Sequence, residues 1–164
     1  MAGESSEKSS KARAYEKAIA LLARREHSAR ELKTKLARRG FDDDENTQVL
    51  EQLQSKDFQN DSRFGEMLVR SRIESGYGAR WIVAELRTHG INDDAANALI
   101  DAAQPDWPEL ICRQLQRRFG GKAAKDYAQL RKRVAFLLRR GFDASTVQSI
   151  TRAQGMDASA DELD

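Results

Sequence analysis

A seven-residue phrase occurs three times in this chain and limits what it can fold into. It reads Leu36-Ala37-Arg38-Arg39-Gly40-Phe41-Asp42, then Leu86-Arg87-Thr88-His89-Gly90-Ile91-Asn92, then Leu137-Leu138-Arg139-Arg140-Gly141-Phe142-Asp143, at spacings of 50 and 51 residues. Glycine has no Cβ, so it enters the left-handed conformation that closes a helix at little steric cost. With Gly40, Gly90 and Gly141 at C′, the leucines Leu36, Leu86 and Leu137 stand at C3. Phe41, Ile91 and Phe142 then stand at C″, and a contact between C3 and C″ accompanies a Schellman ending. Asp42, Asn92 and Asp143 follow as N-caps, each offering a side-chain oxygen to the free N–H groups of a new helix. Each copy therefore reads as the end of one helix and the start of the next.

The rest of the chain fits three helices per copy. Residues 1–10 hold nothing to bury and are expected to form a disordered lead. Tyr15, Ala18, Ile19 and Leu22 then make one helical stripe. Ser28-Ala29-Arg30-Glu31 is a capping box, in which Glu31 should reach back to the Ser28 N–H. Asp42-Asp43-Asp44-Glu45 suits the positive end of a helix dipole and lacks the spacing of a calcium loop. In the second copy Asn60 or Asp61 can cap a helix bearing Phe64, Met67, Leu68 and Ile73, which Ser75-Gly76-Tyr77-Gly78 breaks. In the third, Asp106-Trp107-Pro108-Glu109 opens a helix with Trp107, Leu110, Ile111, Leu115 and Phe119 on one face. Tyr127, Leu130, Val134, Leu137 and Leu138 line the next, and Val49, Leu99 and Ile150 stand at a shared core position. No stretch alternates as a strand does.

The expected fold is all-α: an elongated curved array of three tandem three-helix repeats, over residues 11–56, 57–104 and 105–155, followed by an acidic flexible tail at 156–164. The hydrophobic share of 40%, below the roughly 45–50% of compact domains, suits small units that bury their faces against neighbours. No apolar run nears the roughly 20 residues of a membrane span and no secretory leader is read, so a cytoplasmic protein is expected.

Residues arranged for catalysis are not legible. There is no zinc-protease, paired-cysteine, serine-elbow or phosphate-loop motif. His27 and His89 lack spaced metal-ligand partners. The single cysteine, Cys112, falls in an apolar stretch and reads as packing rather than nucleophile. No catalytic residue, cofactor or metal is expected, and an enzyme is not.

Charge, in contrast, is segregated. Between Pro108 and Arg140 stand ten basic residues against Glu109 and Asp126, and residues 11–39 hold ten more against three acids. Residues 42–61 reverse this, with seven acids against Lys56. Any one arginine is ordinarily a solvated side chain, but clustered like charges repel unless a partner neutralises them. An acidic, elongated partner fits: a nucleoprotein filament, or nucleic acid itself.

From Asp61 to Ile91 the chain resembles the central signature of the bacterial RecX family, an Asp, a Phe, an Arg, a Gly-x-Gly turn, an Ile-x-x-Glu-Leu and a Gly-Ile. Here these are Asp61, Phe64, Arg72, Gly76, Gly78, Ile82, Glu85, Leu86, Gly90 and Ile91. Ala20 to Phe41 and Lys132 to Phe142 fit the flanking repeats. The resemblance implies a regulator of the RecA recombinase, acting in DNA repair, recombination and the SOS response. Such proteins lodge in the groove of the RecA–DNA filament and mostly inhibit strand exchange and ATP hydrolysis. The candidate contacts are Arg24, Arg25, Arg38, Arg39, Arg117, Arg118, Lys132, Arg139 and Arg140, and the expected form is a monomer. The alternative is a direct DNA-binding module whose Arg-Arg-Gly helix ends rest on phosphates.

Overall fold

The computed structural model describes residues 2–120 and 122–153, with side chains from residue 10 onward. Among these residues the chain forms nine α-helices and no strand. They are α1 (Ala2–Leu22), α2 (Ala29–Ala37), α3 (Asp43–Ser55), α4 (Asp61–Glu74), α5 (Ala79–Thr88), α6 (Asp93–Ala103), α7 (Trp107–Phe119), α8 (Tyr127–Arg139) and α9 (Ala144–Ala153). The acidic tail lies outside the described residues. The lead does not, and it departs from the expectation: α1 already starts at Ala2. A helix nucleated by the buried stripe extends upstream at low cost. Ser10 and Lys11 also hold it, donating to Glu45 at 3.0 Å and Gln48 at 2.8 Å.

The three glycines close helices as read. The N–H of Phe41, Ile91 and Phe142 donates to the carbonyl of Leu36, Leu86 and Leu137 at 3.3, 3.1 and 3.3 Å. The glycine N–H groups bond one residue further on, to Ala37, Arg87 and Leu138. Gly40, Gly90 and Gly141 have φ of 84°, 87° and 85°, inside the left-handed region. Gly76 ends α4 in the same way, a fourth instance hidden in a stretch that reads only as a break.

Caps follow the expectation in part. Asp42 accepts from the Asp44 N–H at 2.9 Å, Asp106 from Glu109 at 2.9 Å and Asp143 from Thr146 at 3.1 Å. Asn60, not Asp61, caps α4, accepting from Ser62 and Arg63. Ser28 accepts from Glu31 N–H at 3.1 Å, but the Glu31 carboxylate turns to Arg25 and Lys35 instead of closing the box.

The chain divides into two compact units, residues 1–68 with 86–92, and residues 69–85 with 93–164. In the first, Ala14, Ala18, Leu36, Val49 and Leu53 are buried together, with Tyr15, Ile19, Leu22 and Phe41 packed against them. In the second, Leu110, Ile111, Leu115, Leu137, Phe142 and Val147 form the core. Each full burial of such a side chain stabilises by about 1.5–3 kcal/mol.

Aligning the copies on their glycines locates the buried positions. The leucine before the glycine is buried in all three. So is the sixth residue after it, Asn46, Ala96 and Val147, each fully buried. The expected shared position, three residues on, is fully buried at Val49 and half-buried at Leu99 and Ile150, the last packed against the core of the second unit. Cys112 is exposed rather than packed, since Leu110, Ile111, Gln114 and Leu115 take the buried face of α7 and leave the residue between them pointing out. Tyr127 and Leu138 also depart from the expected stripe, being 47% and 40% exposed.

The eighth residue before the glycine is Leu32, Ile82 and Arg133, the first two fully buried. Arg133 is 7% exposed and so is no part of the basic surface. Its guanidinium donates to the carbonyls of Lys122 at 2.5 Å and Ala123 at 3.5 Å and lies 5.2 Å from the Phe119 ring centroid.

Candidate interaction surface

Within each compact unit a turn of one copy seats on the start of a helix from the copy before it. In the first unit the turn at Gly90 meets the start of α2. Ser28 Oγ lies 2.9 Å from His89 Nδ1, and Arg30 donates to the Thr88 carbonyl at 3.3 Å. His89 also lies against Phe64, ring centroids 4.6 Å apart. In the second unit the turn at Gly141 meets the start of α5. Gly78 N–H donates to the Arg140 carbonyl at 2.7 Å, and Arg80 N–H to the Gly141 carbonyl at 3.1 Å. The backbones are so close that a Cβ on Gly78 would lie 2.4 Å from the Gly141 carbonyl, which only glycine allows.

The residue before the glycine completes each joint. Arg140 donates to the carbonyls of Ser75 at 2.9 Å and Gly76 at 3.2 Å, and lies over the rings of Tyr77 at 5.0 Å and Phe136 at 5.2 Å. Tyr77 stacks on Trp81 at 4.1 Å, and Arg72, 5.7 Å from the Trp81 ring, grips Glu85 through two hydrogen bonds of 2.7 and 2.8 Å. Arg140, a candidate partner contact, is thus already engaged.

Around Arg140 a cleft of about 270 Å³ is lined by Ser75, Gln114, Arg117, Arg118 and Phe136, with no acidic residue. The bland account is that arginines neutralise helix ends. Three helix C-termini, of α4, α7 and α8, supply residues here, each worth roughly half a negative charge. Together they offset about one and a half of the three guanidinium charges, so the cleft keeps positive charge suited to a carboxylate or phosphate.

The remaining candidates are placed individually. Arg117, Arg118, Lys132 and Arg139 are exposed and make no salt bridge among the described residues. Arg24, Arg25, Arg38 and Arg39 belong to the other unit and are exposed. Arg25 is committed to Glu31, at 2.5 and 3.1 Å, and to the Glu26 carbonyl. Burial alone would raise the Glu31 pKa, but hydrogen bonds from Arg25 and Lys35 bring it down to about 2. No group of three or more His, Cys, Asp and Glu side chains able to hold a metal occurs among the described residues. Nor is any of their helices long and apolar enough to cross a membrane.

What the sequence reading missed is the work of the signature polar residues. Asp61 Oδ1 accepts from the Ala29 N–H at 2.8 Å, capping α2 from across the first unit, and from Gln59, which also donates to the His27 carbonyl. Arg72 and Glu85 hold the stack beneath Arg140. Ile82, Leu86 and Ile91 are buried. The signature therefore marks residues that hold the fold, and its 13-residue Arg72–Glu85 spacing across a turn was the readable clue.

The chain matches three consecutive family models. These are the first three-helix domain of RecX at residues 14–53, the second at 60–100 and the third at 106–151. It is 42% identical to the regulatory protein RecX of Stenotrophomonas maltophilia over 137 residues, covering 84% of both chains. It is also 42% identical to that of Xanthomonas campestris pv. campestris over 137 residues, 84% of this chain and 85% of the relative. The fold matches the crystal structure of RecX from Lactobacillus salivarius with a TM-score of 0.74 at 20% identity, over 90% of this chain and 97% of that one. With all three of its repeats matched in order, the chain belongs to the RecX family.

Proposed function

We propose that this protein regulates the RecA recombinase in the cytoplasm, binding the RecA–DNA filament and inhibiting its strand exchange and ATP hydrolysis. The observation that carries the proposal is the match of all three repeats to a family whose relatives are named regulatory proteins. The basic cleft at Arg117, Arg118 and Arg140 supports it by offering uncompensated positive charge to an acidic partner. The protein acts by contact: a regulator that binds one filament state better than another shifts their balance by that difference in affinity. The test is RecA ATPase on single-stranded DNA titrated with this protein. Inhibition well below one regulator per RecA protomer supports action at filament ends or on nucleation. Inhibition only near saturation supports groove binding. An unchanged ATPase and no co-sedimentation with filaments defeat the proposal.

The same cleft favours a second reading, direct binding to DNA phosphates. It requires affinity to fall steeply with salt, because each neutralised phosphate releases counterions. Retention on RecA filaments but not on bare single-stranded DNA at physiological salt decides for the first reading.

A further inference from the structure

Two of the three large apolar side chains most exposed among the described residues, Tyr127 and Leu138, lie in one place. With Leu130, Val134, Ala135 and the stem of Arg131 they line a cleft of about 370 Å³, whose other wall is Gln148, Thr151 and Arg152 of α9. Tyr127, Arg131, Val134 and Leu138 are spaced four, three and four residues apart, the period of a single helix face. Leu137 belongs to the core and Val134 is half-buried against it, while Tyr127, Arg131 and Leu138 on the same helix are exposed.

In the first copy the start of the middle helix, Ser28 and Arg30, is covered by the Gly90 turn of the second. In the second copy the equivalent Gly78 and Arg80 are covered by the Gly141 turn of the third. The third copy's equivalents, Gln129 and Arg131, have no following turn among the described residues, and the cleft begins beside them. Among the described residues that contact is made in two copies and not in the third. The cleft's lining holds arginines at two sites and no acid: Arg131 lies 5.7 Å over the Tyr127 ring, and Arg152 stands on the facing helix.

We infer that the α8–α9 cleft is a docking site for an amphipathic helix of a partner protein, with apolar residues seated between Tyr127 and Leu138 and acidic residues paired to Arg131 and Arg152. Leu138 stands eleven positions after Tyr127 on α8, about 16 Å along the axis, so about three turns of the partner helix are held. The site goes beyond RecA regulation as proposed above and does not depend on it.

The test uses full-length protein and a labelled synthetic helix of about 14 residues, with leucine at i, i+4, i+7 and i+11 and glutamate flanking them. Fluorescence anisotropy should show binding. Both Leu138→Gln and the double variant Arg131→Glu with Arg152→Glu should weaken it about tenfold or more, with helical content unchanged. A lysine-flanked version of the same helix should bind the double variant better than the native chain. Equal binding of glutamate- and lysine-flanked helices, or no effect of either variant, overturns the inference. A further variant replaces Asp157, Asp161, Glu162 and Asp164 by their amides. A gain of about tenfold or more in binding there would mean that the chain's own acidic residues compete for the cleft, and would overturn the assignment to a partner.

Discussion

The Arg140 guanidinium lies over the rings of Tyr77 and Phe136 while it donates to the carbonyls of Ser75 and Gly76. Its counterpart in the second copy, His89, reaches Ser28 of the copy before it and lies against Phe64 of its own. The counterpart in the first copy, Arg39, is exposed and donates to the Lys35 carbonyl of its own helix at 3.3 Å. One position therefore makes the joint twice and is left at the surface once.

Arg140→Ala should destabilise the second compact unit by about 1–3 kcal/mol, since charge-assisted hydrogen bonds and ring contacts are lost together. Arg140→Lys should recover only part, because an ammonium cannot lie flat against a ring as a guanidinium does. Arg39→Ala should leave stability within about 0.5 kcal/mol of the native value. Urea unfolding with hydrogen exchange at Tyr77 and Trp81 reads the difference. Equal effects at Arg39 and Arg140 would defeat the assignment.

Gly78→Ser puts into the second copy the residue that the first carries at Ser28. There the side chain meets an imidazole, whereas at Gly78 it would strike the Gly141 backbone. The expected cost is about 1–3 kcal/mol, as for other overpacked sites. A melting temperature equal to that of the native chain would show that the joint has slack.

Arg133→Leu restores the residue type of the first two copies. Replacing a buried charge by an apolar group of similar volume is often neutral, so global stability should change by about 1 kcal/mol or less. The carbonyls of Lys122 and Ala123 lose their donor, however, so the loop between α7 and α8 should be cleaved faster by protease. Unchanged cleavage would mean that the arginine does not tether the loop.

Stability should fall with acid in two steps. His27 Nδ1 lies 3.0 Å from the Arg25 carbonyl and its Nε2 lies 3.0 Å from Lys35 Nζ, which can only donate. The ring is therefore neutral, with its proton on Nδ1, and burial lowers its pKa from the usual 6.5. Below that value the unfolded chain takes up a proton that the folded chain refuses, so stability declines as pH drops through and below it. Glu31, at about 2 against an ordinary 4.5, adds a second loss between those values. His27→Gln should flatten the first step and leave the second, in urea midpoints measured near pH 7.5, 5.5 and 3. Persistence of the first step would place it on another group.

Charge reversal at Arg117 and Arg118 should weaken inhibition of RecA ATPase by about tenfold, because two like charges are taken from a cleft that has no acid to release. If affinity for single-stranded DNA falls with it, and the salt slope shrinks by about two, the cleft acts on phosphates. No change in either would remove the cleft from function.

The sequence by itself determined the helices and their ends. The left-handed glycines, the aspartate caps and the leucine before each turn depend on backbone sterics and local hydrogen bonds, which neighbours in the chain supply. The same local logic misplaced Cys112, Tyr127 and Leu138, because periodicity says that a helix has an apolar face but not which elements exist to cover it. Arg133 and Arg140 read as surface charge, and only the tertiary structure put a loop over one and two rings against the other. The long-range pairs Asp61–Ala29, Ser28–His89 and Gly78–Gly141 were likewise decided by packing between copies. A contact across 32 or 61 residues depends on the closing of a chain loop, and no local pattern encodes which partner arrives.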